Sequence, residues 1–269
     1  MLRNLTIKDE TEVNNFLSVR RPTKLYLEDA VRSYGYDDKN IFYIGEFDKE
    51  GKIKAILLNF KDMCSLYAND SYDARSFYYA MKAYGYNRLT GMKDEIVSLL
   101  CEDLSLHFDA CESYMVLYNF KNPERVANCK IEDVNLEDLD EVFEMINSTE
   151  EYPRYRETLI EHIKWCYHTK RSSGVCIRDS ETNSIIGYIE KAVEVGKYAM
   201  LGRLIVRPEY RRRGYAKELI RYMTQQVVDR GKFPVLYHST QFLMKFYVSI
   251  GYQNLGDYLL YFDEKRTEK

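Results

Sequence analysis

The chain reads as an α/β (α+β) protein of two modules, each a mixed, mostly antiparallel sheet flanked by helices. Three observations predict this. Its 269 residues are 45% apolar with only five prolines, which excludes disorder, collagen-like repeats and low-complexity linkers. Segments of helical and strand periodicity alternate along the whole length. The element order of the second half largely recurs in the first, without recurrence of the sequence itself.

In the second half, Lys130-Ile131-Glu132-Asp133 is expected as a short strand and Asn135 as a helix N-cap. Leu136, Leu139, Val142, Phe143 and Ile146 then follow at helical spacing, and Tyr155 to Lys170 forms a second helix through Leu159, Ile163 and Trp165-Cys166. Gly174–Asp179, Ile185–Val195 and Tyr198–Val206, separated by Glu181-Thr182-Asn183-Ser184 and Gly196-Lys197, read as an antiparallel meander. Gly214 to Arg230 is amphipathic, with Ala216, Leu219, Ile220, Met223 and Val227 on one face and Gly231 as its stop. A strand at Phe233–His238, a helix at Gln241–Ile250 ended by Gly251, and a strand at Tyr252–Phe262 close the chain.

In the first half, helices are expected over Asp9–Leu17 and Lys24–Tyr34. Strands follow at Ile41–Phe47, Lys52–Phe60 and Met63–Ala68, with the turn Asp48-Lys49-Glu50-Gly51 between the first two. Helices at Asp73–Tyr84 and Asp94–Leu104 and a strand at Ser113–Phe120 complete it. The polar stretch Asn122-Pro123-Glu124-Arg125 is the expected junction, giving domains of 1–125 and 126–269.

The 39 basic and 42 acidic side chains leave a net charge of −3, with the acidic excess in the first half. A dedicated nucleic-acid partner, which needs a strongly basic face, is not expected. No apolar run approaches the ~18–20 residues of a membrane span, and the first residues lack a signal-peptide core, so cytoplasmic residence without a membrane partner is expected. Six scattered cysteines form no Cys-x-x-Cys pair, so no metal site is expected. The 25 tyrosines suit half-buried strands and interfaces alike and select no function.

One segment concentrates chemistry: Leu204-Ile205-Val206-Arg207-Pro208-Glu209-Tyr210-Arg211-Arg212-Arg213-Gly214-Tyr215-Ala216-Lys217. A strand runs into a basic loop that opens directly into a helix, whose first N–H groups have no partner and carry the positive end of the dipole. Gly214 and Ala216 let a phosphate approach the backbone, and the arginines and Lys217 add charge suited to it. Neither the Gly-x-Gly-x-x-Gly of dinucleotide folds nor the Gly-Lys-Ser/Thr of P-loops is present. Taken alone, Arg211-Arg212-Arg213 also fits a solvated basic patch.

Arg211-Arg212-Arg213-Gly214-Tyr215-Ala216 resembles the coenzyme A-binding motif of the GNAT superfamily of N-acetyltransferases, Gln/Arg-x-x-Gly-x-Gly/Ala. It is preceded by the family's Val-x-Pro-x-Tyr as Val206-Arg207-Pro208-Glu209-Tyr210. A second family element appears as Phe246-Tyr247-Val248-Ser249-Ile250-Gly251-Tyr252. The element order from Lys130 onward is similar to that fold, and the whole chain resembles two-module GNAT proteins with a degenerate N-terminal copy, such as glycine N-acyltransferase-like enzymes. The implied fold class is tandem GNAT-like modules, with the catalytic one at 126–269.

The resemblance implies acetyl-CoA as the cofactor, with its pyrophosphate on backbone amides from about Arg212 to Ala216, beside the side chains of Arg211, Arg213 and Lys217. Leu204, Ile205 and Val206 would pair with the pantetheine arm, and an N–H there would polarise the thioester carbonyl. Thr240 stands where the family often carries Asn at a helix start. Tyr247 matches the tyrosine that protonates the departing thiolate, although it also fits a core aromatic. An amine of pKa ~10.4 must lose a proton before attack, and Glu190, Glu194 and His238 are the candidates to take it. The expected activity is an N-acetyltransferase acting by direct attack of a small-molecule amine or amino acid, and a homodimer is compatible with it. The alternative is a non-catalytic acyl-CoA-binding regulatory module.

In the first half, Asn69-Asp70-Ser71-Tyr72-Asp73 stands where a second cofactor loop would lie. It has no glycine or arginine and carries two carboxylates, so that half is expected to be structural or acceptor-binding, with one cofactor per chain. The acceptor is expected between the modules or under Asn147 to Glu157, where Glu150, Glu151 and Tyr152 lie.

Overall fold

Adjacent residues of the apolar run Ala55-Ile56-Leu57-Leu58 belong to different cores: Ile56 packs with Val13, Phe16, Leu27 and Tyr43, and Leu57 with Leu66, Phe77, Met81 and Ile96. A strand with helices against both faces buries every side chain, which is why that run shows no polar alternation. The computed structural model describes all residues except 20, 61, 62, 103, 122, 123, 125, 126, 149–156, 240 and 263–269. The chain forms two units: Met1–Met115 with Tyr237–Met244 and Asn254–Lys269, and Val116–Leu236 with Lys245–Gln253. Asn122, Pro123 and Arg125 of the expected junction, and the link carrying Glu150, Glu151 and Tyr152, lie outside the described residues.

The first unit runs β1 (Leu2–Asn4), α1 (Glu10–Ser18), α2 (Leu25–Tyr34), β2 (Ile41–Phe47), β3 (Ile53–Phe60), β4 (Met63–Ala68), α3 (Ala74–Tyr84), β5 (Arg88–Met92), α4 (Lys93–Leu100) and β6 (His107–Val116). β1 through β4 pair antiparallel in sequence, whereas β4 and β5 are parallel with α3 as their crossover. Two strands here were not expected. β1 is three residues long, and β5 contains Gly91, where an added Cβ would stand 2.4 Å from Ile96 Cγ2 and 2.8 Å from the Leu66 carbonyl oxygen. Glycine weakens the strand signal while permitting that close approach of α4. β6 begins before the expected Ser113, and α4 stops at Leu100.

The second unit contains β7 (Glu132–Asp133), α5 (Leu139–Asn147), α6 (Glu157–His168), β8 (Ser173–Arg178), β9 (Ile185–Val195), β10 (Tyr198–Val206), α7 (Tyr215–Asp229) and the start of β11 (Phe233–His238). β7 to β10 are antiparallel, as the meander requires, and β10 and β11 are parallel with α7 as their crossover. The β10–α7–β11 order thus repeats β4–α3–β5. Leu139, Val142, Phe143, Ile146 and Ile163 of α5 and α6 pack with Cys176, Tyr188 and Ile205 of the strands. Leu219, Ile220, Met223 and Val227 of α7 are buried, and Leu219 Cδ1 lies 3.0 Å from where a Cβ on Gly187 would stand. Truncating any of these four to alanine would cost about 2–4 kcal/mol.

After β11 the chain continues as α8 (Gln241–Ile250) and β12 (Gln253–Phe262). β12 enters the sheet of the first unit, antiparallel to β5 through Tyr258↔Met92 and Phe262↔Arg88.

Candidate functional site

β10 is distorted where chemistry is expected. Its pairing with β9 passes from Gly202↔Glu190 to Ile205↔Tyr188, and Arg203 at the irregularity has φ 50°. An arginine in the left-handed region is strained, so a local interaction must hold it. The Arg203 guanidinium pairs with the carboxylate of Glu190, which also accepts from the Tyr188 hydroxyl at 2.9 Å. Tyr188 shares a 2.6 Å hydrogen bond with Tyr167, and Gly174 leaves room for both rings. The β10–β11 ladder covers Tyr198↔Phe233 to Met200↔Val235, and Leu204, Ile205 and Val206 lie beyond it.

The loop after β10 is fastened at several points. Arg207 donates its backbone N–H to the Ile186 carbonyl at 2.9 Å and its side-chain Nε to the Ile185 carbonyl at 2.6 Å. Pro208 opens a short 3-10 turn to Tyr210. The Arg213 guanidinium lies 5.2 Å from the centre of the Tyr210 ring, and Arg211 Nε donates to the Val206 carbonyl at 3.0 Å. Arg212 has φ 63° and Gly214 φ 86°, so the loop curls twice through the left-handed region before α7. Gly214 is the N-cap and supplies no side-chain cap, leaving the first-turn N–H groups directed outward. Arg211, Arg212 and Arg213 are exposed, and Gly214, Tyr215, Ala216 and Lys217 are half-buried. Curled amides, a helix dipole and cationic side chains together fit a phosphate group.

Residues 139–252 match the sequence model of the acetyltransferase (GNAT) family. This stretch is a GNAT acetyltransferase domain. The family typically uses acetyl-CoA, and the cradle ahead of α7 fits the phosphates of such a molecule. Solved structures share the fold over nearly the whole chain. A tandem GNAT protein from the clavulanic acid biosynthesis pathway is 12% identical, with 97% of each chain covered and a TM-score of 0.62. A GCN5-related N-acetyltransferase from Sphaerobacter thermophilus is 14% identical, covering 97% of this chain and 94% of its own, at a TM-score of 0.67. A GNAT-family acetyltransferase from Colwellia psychrerythraea is 13% identical, covering 97% and 98%, at 0.58. Comparison with curated proteins finds no match.

Within the GNAT domain, Tyr247 of α8 is buried, edge-on to Tyr252 with ring centres 5.7 Å apart. Burial, and next the neighbouring Tyr252, push its phenol well above the ordinary tyrosine range, so it stays protonated at neutral pH. Glu190 is 1% exposed and engaged by Arg203 and Tyr188. Glu194 is different. Burial would raise its carboxyl, but Lys191 at 2.7 Å, Lys232 at 2.8 Å and Arg230 at 3.2 Å outweigh that and hold it at about 2. A carboxylate so weakly basic is a poor proton acceptor, so Glu194 serves as the centre of an ion-pair cluster. Lys232, which reads as a solvated helix-end charge in the sequence, belongs to that cluster. His238 is buried and lies in the first unit with the end of β11. Thr240 lies outside the described residues.

The sequence reading missed Arg203, Tyr188 and Tyr167. Tyr188 and Glu190 alternate on one strand face and were visible as neighbours. Nothing local marks Arg203 as the partner of Glu190.

No helix among the described residues is long and apolar enough to cross a membrane. No group of three or more metal-ligating side chains occurs among them.

Proposed function

We propose that the chain is an acetyl-CoA-dependent N-acetyltransferase that acts on the amine of a small molecule or amino acid by direct attack. The observation that carries this reading is the uncapped start of α7 behind the left-handed residues Arg212 and Gly214. Backbone amides from Arg212 to Ala216 hold the pyrophosphate there, and Arg211, Arg213 and Lys217 offset its charge. Leu204, Ile205 and Val206 present strand backbone to the pantetheine arm, and an N–H there polarises the acyl carbonyl. Coenzyme A supplies the activated thioester.

Tyr247 donates the proton that assists thiol departure, since burial keeps its phenol protonated. Glu190, through Arg203, maintains the β10 distortion and with His238 remains a candidate to receive the amine proton.

The first unit supports one site per chain. There Asp73 caps α3, accepting from the Ser76 N–H at 3.1 Å and its hydroxyl at 2.7 Å. Its own N–H donates to buried Glu46 at 2.8 Å. Two carboxylates therefore occupy the position that Gly214 leaves open before α7.

Release of free thiol from acetyl-CoA, measured against a panel of amines and amino acids, tests the reading. Amine-dependent release is expected. Acetyl-CoA binding with no turnover on any acceptor would instead make the chain a binding module.

A further inference from the structure

β10 takes three steps from Gly202 to Ile205 while β9 takes two from Glu190 to Tyr188, so one extra residue is inserted beside Arg203. The two β9 residues that flank the insertion are bonded to each other. The Tyr188 hydroxyl donates to Glu190 Oε2 at 2.9 Å, and the other carboxylate oxygen, Oε1, pairs with the Arg203 guanidinium. A phenol has a single proton. Because Tyr188 gives its proton to the carboxylate, its oxygen accepts the one that Tyr167 donates at 2.6 Å. The order is therefore Tyr167 to Tyr188 to Glu190 to Arg203, running from α6 to the strained backbone of β10 within the second unit.

Tyr167, Tyr188 and Glu190 are all buried. Burial raises the Tyr167 phenol to about 12, so the first donor of the series is protonated at neutral pH. Both cross-strand neighbours of Glu190 are glycines, Gly174 on β8 and Gly202 on β10. No side chain from those two positions packs on its carboxylate, whose setting is left to Tyr188 and Arg203. A Cβ on Gly174 would stand 2.4 Å from the Tyr167 oxygen and 2.6 Å from Tyr188 Cε2, so the two rings fill the space the glycine leaves.

Tyr188 thus occupies one carboxylate oxygen and leaves the other to Arg203, which sets the rotation of the carboxylate. The ion pair in turn holds an arginine at φ 50°, a backbone state that needs such support. Buried groups bonded in series are rigid, and removing one hydroxyl leaves its partner oxygen without compensation.

We propose that Tyr167 and Tyr188 are positioning residues for acyl transfer, which act through Glu190 and Arg203 to hold the β10 backbone where a strand N–H meets the acyl carbonyl. The inference rests on the acetyltransferase reading and adds to it the two residues, one on α6, that fix the geometry of its reacting end.

Tyr167→Phe and Tyr188→Phe, which keep the rings and remove only the hydroxyls, test it in the full chain beside Arg203→Met. Acetyl-CoA affinity is measured by calorimetry, kcat with an accepted amine, and the infrared stretch of the bound thioester with carbonyl-labelled acetyl-CoA. Affinity is expected within about twofold of the wild type, with kcat about tenfold lower in Tyr188→Phe and about threefold lower in Tyr167→Phe. The carbonyl stretch should return toward that of the free thioester in the same order. Combining Tyr188→Phe with Arg203→Met should give the kcat of Arg203→Met alone, since the hydroxyl acts through the arginine. Thermal unfolding identifies any loss of fold, and Tyr167→Phe carries the test if Tyr188→Phe does not fold. The proposal is overturned if folded phenylalanine variants keep the wild-type kcat and carbonyl frequency, if affinity falls with kcat unchanged, or if the losses in the double variant add. If the wild type binds acetyl-CoA but turns over no amine, the acetyltransferase reading falls and the carbonyl stretch decides this proposal by itself. Absence of acetyl-CoA binding by the wild type overturns both.

Discussion

The Tyr210 hydroxyl donates to Asp179 Oδ2 at 2.9 Å, tying the turn ahead of the three arginines to the turn between β8 and β9. Asp179 also accepts from the N–H groups of Thr182 at 2.9 Å and Glu181 at 3.0 Å. The Thr182 N–H is the largest influence and the Tyr210 hydroxyl the next, and together they hold the carboxyl at about 2. Because the folded value lies below the ordinary 3.8, the fastening is fully present above that value and lost as pH falls through about 2. Tyr210→Phe is expected to weaken acetyl-CoA binding about three- to tenfold while leaving turnover at saturation nearly unchanged. Calorimetric affinity equal to the wild type from pH 5 to 8 would remove the tether from the account.

Gly214 sits at φ 86°, where a β-branched side chain costs ~1–2 kcal/mol and, on the proposed reading, would crowd the pyrophosphate. Gly214→Val should lower acetyl-CoA affinity at least about tenfold, and Gly214→Asn, which tolerates that backbone, should do less harm. Equal affinity in all three proteins contradicts the cradle.

One equivalent of acetyl-CoA per chain is expected, because Asp73 and Glu46 fill the helix start in the first unit. Two equivalents in a titration would require that capped helix to open, against the geometry seen.

Glu194 is a stability group. Its carboxyl moves from an ordinary 4.5 to about 2 on folding, so Glu194→Gln should cost about 2 kcal/mol after allowance for partial solvation. The contribution is present above 4.5 and disappears as pH falls through about 2. Turnover should persist in the variant at a temperature where it is folded; loss of kcat with unchanged Tm is the opposing result.

Tyr247→Phe should reduce kcat at saturating acetyl-CoA while leaving its affinity intact. With the phenol raised by burial, the wild type should show no alkaline loss attributable to this residue up to about pH 10. Unchanged kcat in the phenylalanine variant takes Tyr247 off the catalytic list.

The GNAT domain was the most legible part of the chain. Ile185–Val195, Tyr198–Val206, Phe233–His238 and Gln241–Ile250 stand in the structure with the bounds their periodicity predicts. Strong apolar spacing and unambiguous turn residues flank them, so local preference and tertiary packing agree. The strand-to-helix turn across Arg211 to Lys217 was equally readable, because it is assembled from consecutive residues. β1 and β5 were not, being short and, in β5, interrupted by Gly91.

By itself, the sequence determined the α/β class, the meander, the basic turn before α7 and its resemblance to the GNAT family. These all depend on neighbours within a dozen residues. Tertiary structure alone decided that β12 leaves its sequence neighbours to pair Tyr258 with Met92. It also decided that Glu190 meets Arg203, that Glu194 is neutralised by three cations, and that the rings of Tyr26, Tyr114, Tyr237 and Tyr258 converge. The physical reason is common to all four. Glutamates and tyrosines look alike along a chain, and what each does is set by the charges, rings and solvent that folding brings to it from far away in sequence.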